Sequence, residues 1–403
     1  MTHPDQPQRD LSPPGSPEAN RHVVPILSAA NFVIGLGAFV VIGILNPMAE
    51  DFGLTPAQAG HLMVVYAGVY AISSPLLVSA TGRIGRRRVL AIATGVFALA
   101  ALISALAPTA GILFAARVLA AVSAGMVTPV AAAVAAGLSP PGKQGAALSM
   151  VFLGFSLSQV IGVPLGSFLA YTFGWRVAFA LVVALALPCM VLIWVRVPAG
   201  LRFAPVGLRD LTRVVGNWRL MLTVSFTTVF ISGSYVVFTY FAPLLSETMG
   251  FARNGITAAL TLAGLGAVAG SLMGGMMTDR IGAQRTLVLL CLAQMMITPV
   301  FSTLPLPVAA VMALPVLWSV FGWSFMPAQQ VRLITASPEN ANVLLALNAG
   351  AVYLGAAAGS AIGGAIIDTT GLWALGLGGG ACVLVALGVL LAAGGWRGPQ
   401  PDL

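Results

Sequence analysis

Two segments 197 positions apart are versions of one another. Ser74–Leu90 is echoed in Ser271–Leu287, with Arg83 answered by Arg280, Gly85 by Gly282, Arg88 by Arg285 and Leu90 by Leu287. The register persists further along, where Gly162-Val-Pro-Leu-Gly166 answers Gly359-Ser-Ala-Ile-Gly363 and Gly174 answers Gly371. Each copy of the first segment joins two long apolar stretches through a tight basic turn. A constant offset across most of 403 residues predicts two homologous halves, and parallel repeats of multi-helix halves are typical of secondary transporters.

The environment follows from composition. The chain is 58% hydrophobic and 7% charged, with a mean hydropathy of +0.97, whereas soluble domains carry about 25% charge. Roughly 20 apolar residues cross a hydrocarbon core of about 30 Å as helix. That length predicts twelve spans, at 23–48, 58–80, 89–107, 110–137, 146–171, 177–195, 220–245, 255–278, 287–304, 308–334, 343–367 and 373–394. The expected organisation is a disordered polar tail over 1–22, a six-helix half over 23–195, a linker over 196–219, a second six-helix half over 220–395 and a tail over 396–403. The proline-rich start lacks the charged end and apolar core of a signal peptide.

The formal charge of +8 suggests nucleic acid at first sight. The arginines punctuate apolar runs and form no stripe, so no nucleic acid partner is expected. They report orientation instead. With both termini in the cytoplasm, sixteen basic residues face inward, Arg332 among them, and only Arg176 and Arg253 face outward. Arg117 is then the one basic residue inside a span, and its burial calls for a partner or a wet cavity. Cys189, Cys291 and Cys382 stand singly in apolar runs, with neither disulfide nor zinc spacing. Met273 and Met277 share a helical face, but no cysteine or histidine stands near them. No metal and no cofactor is expected, and no catalytic constellation appears, so the chain does not read as an enzyme.

On these residues the chain resembles the major facilitator superfamily. The second basic turn keeps that superfamily's loop pattern in Gly275, Asp279, Arg280, Gly282 and Arg285. The first keeps Arg83, Gly85, Arg86 and Arg87, with Gly82 in place of the acid. Arg117-Val-Leu looks like the span-four arginine motif. Gly154, then Gly162-Val-Pro164-Leu-Gly166 and Phe173-Gly-Trp-Arg176, look like the antiporter motif of span five. Tyr240-Phe-Ala-Pro243, Gln330 and Asn348 also fit the drug:proton antiporter branch, the bacterial exporters of sugar-efflux, purine-efflux and chloramphenicol-resistance type.

The resemblance implies an all-α, twelve-helix multi-pass protein of the bacterial inner membrane that exports a small organic solute against protons by alternating access, as a monomer. It implies a cavity lined from spans 1, 4, 7 and 10, with help from 2, 5, 8 and 11, where Arg117, Tyr66, Tyr240, Gln330, Asn348, Asn31 and Tyr353 are the candidates. The basic turns would be a cytoplasmic latch, and Gly154, Gly162, Pro164 and Gly166 a hinge; ordinary packing of small residues explains the same glycines. Two departures matter. The branch's span-one acid is replaced by Ala38, and its span-four histidine by Ala124. Proton coupling then falls to Glu50, Asp51, His61, Glu247 or Asp368, near the outer surface. With no acid to offset Arg117, the expected solute is neutral or anionic. An importer or uniporter on the same fold, and a non-transporting membrane sensor or assembly partner, are the alternatives.

Overall fold

The computed structural model describes residues 22–82, 84–139, 144–201, 212 and 214–394. The expected N-terminal tail apart from His22, the latch residue Arg83, Lys143, most of the linker (202–211 and 213) and the C-terminal tail lie outside the described residues.

Among the described residues all regular structure is helical. Twelve spans are long and apolar enough to cross a membrane: Val23–Phe52, Pro56–Val78, Arg86–Ala105, Ala110–Leu138, Met150–Phe173, Trp175–Arg196, Trp218–Met249, Arg253–Ile281, Ala283–Thr303, Val308–Ala336, Val343–Thr369 and Leu372–Ala393. Helices are what such sequences must form, because only internal bonding satisfies the backbone where water is absent. An even number of crossings brings both ends of the described chain to one side, here termed the terminal face; the other is the far face.

The spans depart from regular helix where the sequence demands it. Span 1 continues past Pro47 to Phe52 and stops at Gly53, whose φ of 62° is open to glycine. Span 7 breaks at Thr239-Tyr240, just before Phe241–Met249. Pro243 has no N–H for the carbonyl one turn earlier, so the helix restarts rather than runs through. Span 10 restarts at Phe325 after Ser324. In span 5 a π-helical turn, Ser158–Gly162, separates Gln144–Leu157 from Val163–Phe173.

The repeat seen in sequence reappears as packing. Span 1 packs on 5 and 6 as 7 packs on 11 and 12; span 2 pairs with 4 as 8 does with 10; span 3 pairs with 6 as 9 does with 12. Gly174 and Gly371, 197 positions apart, both carry left-handed φ values, 95° and 101°. The glycine stripes answer each other as well. A Cβ on Gly154, Gly162 or Gly166 would strike Ser28, Leu36 or Val40 of span 1 at 1.9, 2.8 and 2.5 Å. One on Gly355, Gly359 or Gly363 would strike span 7 at 2.5, 2.3 and 2.7 Å. These glycines therefore serve close packing inside each half; the surfaces between the halves are formed by spans 2 and 11 and by spans 5 and 8.

This contact predicts the effect of one methyl group. Gly154→Ala places a carbon on the backbone carbonyl of Ser28, which cannot swing aside as a side chain would. Overpacking of this kind costs about 1–3 kcal/mol. The variant should melt several degrees below the parent in detergent, whereas Gly68→Ala, with open space around it, should melt with the parent.

Candidate functional site

Arg117 organises the first half. Its helix starts at Thr109, whose hydroxyl accepts from the Ile112 N–H at 3.4 Å, and carries the arginine two turns into the span. There the side chain is 1% exposed. Nη1 donates to the Gly37 carbonyl at 2.6 Å and Nη2 to the Ala38 carbonyl at 3.0 Å. Each carbonyl has a second lone pair to offer beyond its helical bond. The Tyr66 ring lies 4.1 Å from the guanidinium carbon, a cation–π distance. Spans 1, 2 and 4 are thus joined through one side chain. Among the described residues, Arg117 Nε and the Tyr66 hydroxyl have no hydrogen-bond partner.

From this arginine a line of rings crosses the molecule. Tyr66 and Tyr70 share span 2, and Tyr70 stacks on Tyr353 of span 11, centroids 3.6 Å apart and planes at 22°. Phe155 of span 5 meets Tyr353 edge-on at 6.5 Å and Phe39 of span 1 at 5.4 Å. In the second half Tyr235 meets Phe238 at 5.8 Å, and Phe238 meets Trp318 at the same distance.

Among the described residues, the ring contacts, side-chain hydrogen bonds and close glycine approaches that join the halves lie at the depth of the Tyr70–Tyr353 stack or nearer the far face. A Cβ on Gly264 would stand 2.8 Å from Val160. Ser167 and Thr257 share a hydrogen bond of 3.2 Å, and Arg253 donates to Thr172 at 3.0 Å. Tyr240 donates to the Ser360 carbonyl at 2.7 Å within the second half, and its ring fills the space a side chain on Gly60 of the first half would need.

The other sequence candidates divide. Asn31 is buried and donates to Leu27, its Oδ1 left without a partner. Asn348 accepts from Thr227 at 2.6 Å, tying span 11 to span 7. Gln330 is exposed; its neighbour Gln329 is the buried amide, donating to the Thr223 carbonyl at 2.9 Å. The restart of span 10 at Phe325 sets the helical phase, and so decides which of two adjacent glutamines turns inward; the sequence carries no signal for that break. Arg332, expected in a loop, lies inside span 10, partly buried beside Phe226 at 5.7 Å and donating to Gln329 at 3.4 Å. Arg117 is therefore not the only basic residue within a span.

Glu50, His61, Glu247 and Asp368 are exposed. Asp51 is engaged: it accepts from Arg176 at 2.6 Å and from the Trp175 indole at 3.0 Å, while Arg176 also donates to the Ala107 carbonyl at 3.1 Å. Of the basic turns, the first is docked. Arg86 is buried with its N–H on the Leu201 carbonyl at 3.0 Å, Arg87 lies 4.8 Å over Trp194, and Gly85 caps the helix. The second is exposed at Asp279, Arg280 and Arg285, and turns at Gly282 with φ 83°. Among the described residues no ion pair reaches Asp279; the one present is Asp51–Arg176. In the turn between spans 10 and 11, on the terminal face, the Ser337 hydroxyl holds the Glu339 carboxyl below its usual range.

The model of the Major Facilitator Superfamily matches residues 27–360. The chain belongs to that superfamily, and its function is transport rather than catalysis. It is 31% identical to the uncharacterized MFS-type transporter YbcL of Bacillus subtilis (strain 168) over 93% of this chain and 94% of that one. It is 28% identical to the inner membrane transport protein YdhP of Escherichia coli (strain K12), over 85% and 89%. Its fold matches a bacterial homolog of the human lysosomal transporter Spinster, solved inward-facing and occupied, with TM-score 0.74, 16% identity and coverage of 94% and 98%.

Substitutions at two positions test the site. Hydrogen bonds from a charged donor are worth about 1.5–3 kcal/mol each. Arg117→Lys keeps the charge and one bond; Arg117→Gln loses the charge. Transport should fall partly in the first and at least tenfold in the second, with both variants recovered as folded protein in detergent; unchanged transport by Arg117→Gln overturns the assignment. Asp279→Asn should slow transport and change the distance distribution between spin labels on the terminal-face ends of spans 2 and 11. If neither moves, Asp279 is a solvated turn residue.

Proposed function

We propose that this transporter exports a small, ring-bearing organic solute, neutral or anionic, across the bacterial inner membrane in exchange for protons. On this reading the terminal face is cytoplasmic, in line with the excess of arginine there, and the structure is the state open to the cytoplasm. The observation that carries it is the one-sided seam: the halves meet from the Tyr70–Tyr353 stack outward to the far face. Rocking the halves about that stack would open the far face and bring the exposed Asp279 turn toward basic residues of the first half, a two-state element that solute and protons would bias. Solute charge follows from Arg117, whose positive charge is offset by carbonyls and a ring but by no carboxylate. Permanent cations would be disfavoured in such a field. The glycine-proline stretch of span 5 supports the outward direction by its likeness to the antiporter motif.

A second reading is favoured by one observation. Among the described residues every acid lies at a span end or in a turn, and none in the interior: Glu50, Asp51, Glu247, Asp279, Glu339 and Asp368. Uniport or solute exchange, with no proton carried by the protein, fits that distribution.

Reconstitution in liposomes separates the two. With an imposed pH gradient and a panel of a phenicol, a nucleoside, a sugar and an aromatic carboxylate, antiport predicts uphill solute movement that collapses with a protonophore, and proton flux that starts on adding solute. Solute movement indifferent to the gradient replaces antiport with uniport. Efficient movement of tetraphenylphosphonium would overturn the charge assignment.

A further inference from the structure

The two halves differ at one place where the repeat predicts likeness. In the first half, Arg117 fills the space between spans 1 and 4 by reaching the carbonyls of Gly37 and Ala38. Gly37 packs on Val182 of span 6; Gly233 packs on Gly379 of span 12, and Gly379 stands 197 positions after Val182. The backbone that holds the arginine therefore has its counterpart at Gly233-Ser234. The residue 197 positions after Arg117 is Leu314, so no guanidinium enters the second half there. A pocket lies about one turn further along span 10, between it and span 7, lined by Ser234, Tyr235, Phe238, Trp318, Ser319 and Trp323 among others. Its free space is about that of one water molecule.

Trp318 is set rigidly in this pocket. Phe238 and Phe301 hold its ring at centroid distances of 5.8 Å each, and its carbonyl accepts from Gln294 at 2.6 Å. The side chain is 4% exposed, yet its indole N–H has no hydrogen-bond partner. A buried donor left unmade costs about 1–3 kcal/mol, so one kept in a native structure calls for an explanation, such as a role or a small molecule that meets it. None of the lining residues is charged. Tyr235 packs the pocket against span 11, which also carries Tyr353: a Cβ on Gly359 would stand 2.9 Å from its own Cβ.

We propose that this pocket is the polar-group subsite of the transported solute, and that it receives an uncharged hydrogen-bond acceptor, a carbonyl or hydroxyl oxygen carried on a ring. Trp318 Nε1 donates to that oxygen, Ser234 and Ser319 offer hydroxyls around it, and Tyr235 and Trp323 cover the adjoining ring. The pocket's size admits the oxygen and not the ring, which stays toward the Tyr70–Tyr353 stack. An ionised carboxylate is excluded, since the site has no cation to meet the cost of desolvating it. The inference rests on the transport reading above and narrows its substrate to solutes whose acceptor group is neutral.

The test reads the indole N–H directly. Protein labelled with 15N-tryptophan in nanodiscs gives indole N–H resonances, and Trp318→Phe, which keeps a ring of similar bulk, identifies that of Trp318 by its loss. Chloramphenicol and inosine are the neutral acceptor probes, benzoate the anionic one, and the same three are assayed for transport in liposomes. The proposal expects the Trp318 resonance to move downfield with a neutral probe that is transported, while that of Trp194 stays. It also expects Trp318→Phe to raise KM about tenfold, the worth of roughly 1.4 kcal/mol, with kcat little changed. Ser319→Ala, a smaller change, should raise KM in the same direction, which guards against a folding defect in the first variant. A Trp318 resonance that stays fixed while a probe is transported overturns the subsite and leaves transport standing. An equal shift with benzoate overturns the neutral-acceptor assignment. Absence of both transport and any shift for all three probes overturns the subsite together with the reading beneath it.

Discussion

The rest of the structure depends on how closely span 5 approaches span 1, and span 11 span 7. In a bilayer, lipid is as apolar as leucine, so helices gain little from burying apolar side chains against each other; they associate through close backbone packing and a few polar bonds. Glycines supply the first. Along one edge of span 5, Gly154, Gly162 and Gly166 bring the backbone onto Ser28, Leu36 and Val40. The same arrangement recurs in span 11 against span 7. Each half is thereby a firm unit, and the polar bonds that cross between spans, such as Arg117 to Gly37 and Asn348 to Thr227, act within a frame already held together.

Between the halves the packing is of another kind. Aromatic rings, one part-buried and one exposed hydrogen bond, and single glycine contacts form the seam. Such contacts can part and reform without disturbing the backbone bonds of any helix. A transporter needs this contrast, because alternating access moves one firm half against the other around a site at mid-depth. The π-helical turn at Ser158–Gly162 sits where both kinds of packing meet: Gly162 faces span 1, and Val160 faces Gly264 of the other half. A turn with one residue too many rotates the following stretch, so that one helix serves two neighbours at once.

Much of the architecture was legible in the chain. Apolar length predicts twelve spans, and twelve are found. The 197-residue register of the basic turns and glycines reappears in the pairing of helices and in the matched backbone of Gly174 and Gly371. The candidate site was legible only as a set of polar and aromatic residues near mid-span. Arg117 was singled out by its charge in an apolar run, and it is indeed buried, but nothing local to it names the carbonyls of Gly37 and Ala38, eighty residues earlier, as its acceptors. Gln330 illustrates the limit in the other direction: a helix restart at Phe325, five residues before it, turns Gln329 inward instead.

What the sequence by itself determined is what length, hydrophobicity and repetition control: helices that satisfy their own backbone in lipid, their number, and the likeness of the two halves. Those properties are local or periodic, and each residue states its part of them wherever it stands. Only the tertiary structure decided which residues meet across spans. It placed the glycine stripes inside the halves rather than between them, drew Asp51 into an ion pair with Arg176, and stacked Tyr70 on Tyr353. It also formed the Trp318 pocket, about one turn along span 10 from the residue that answers Arg117. These are meetings of helix faces whose phase depends on breaks at Ser324, Tyr240 and Ser158–Gly162. A shift of one residue rotates a face by about 100°, and the packing of neighbouring helices settles it.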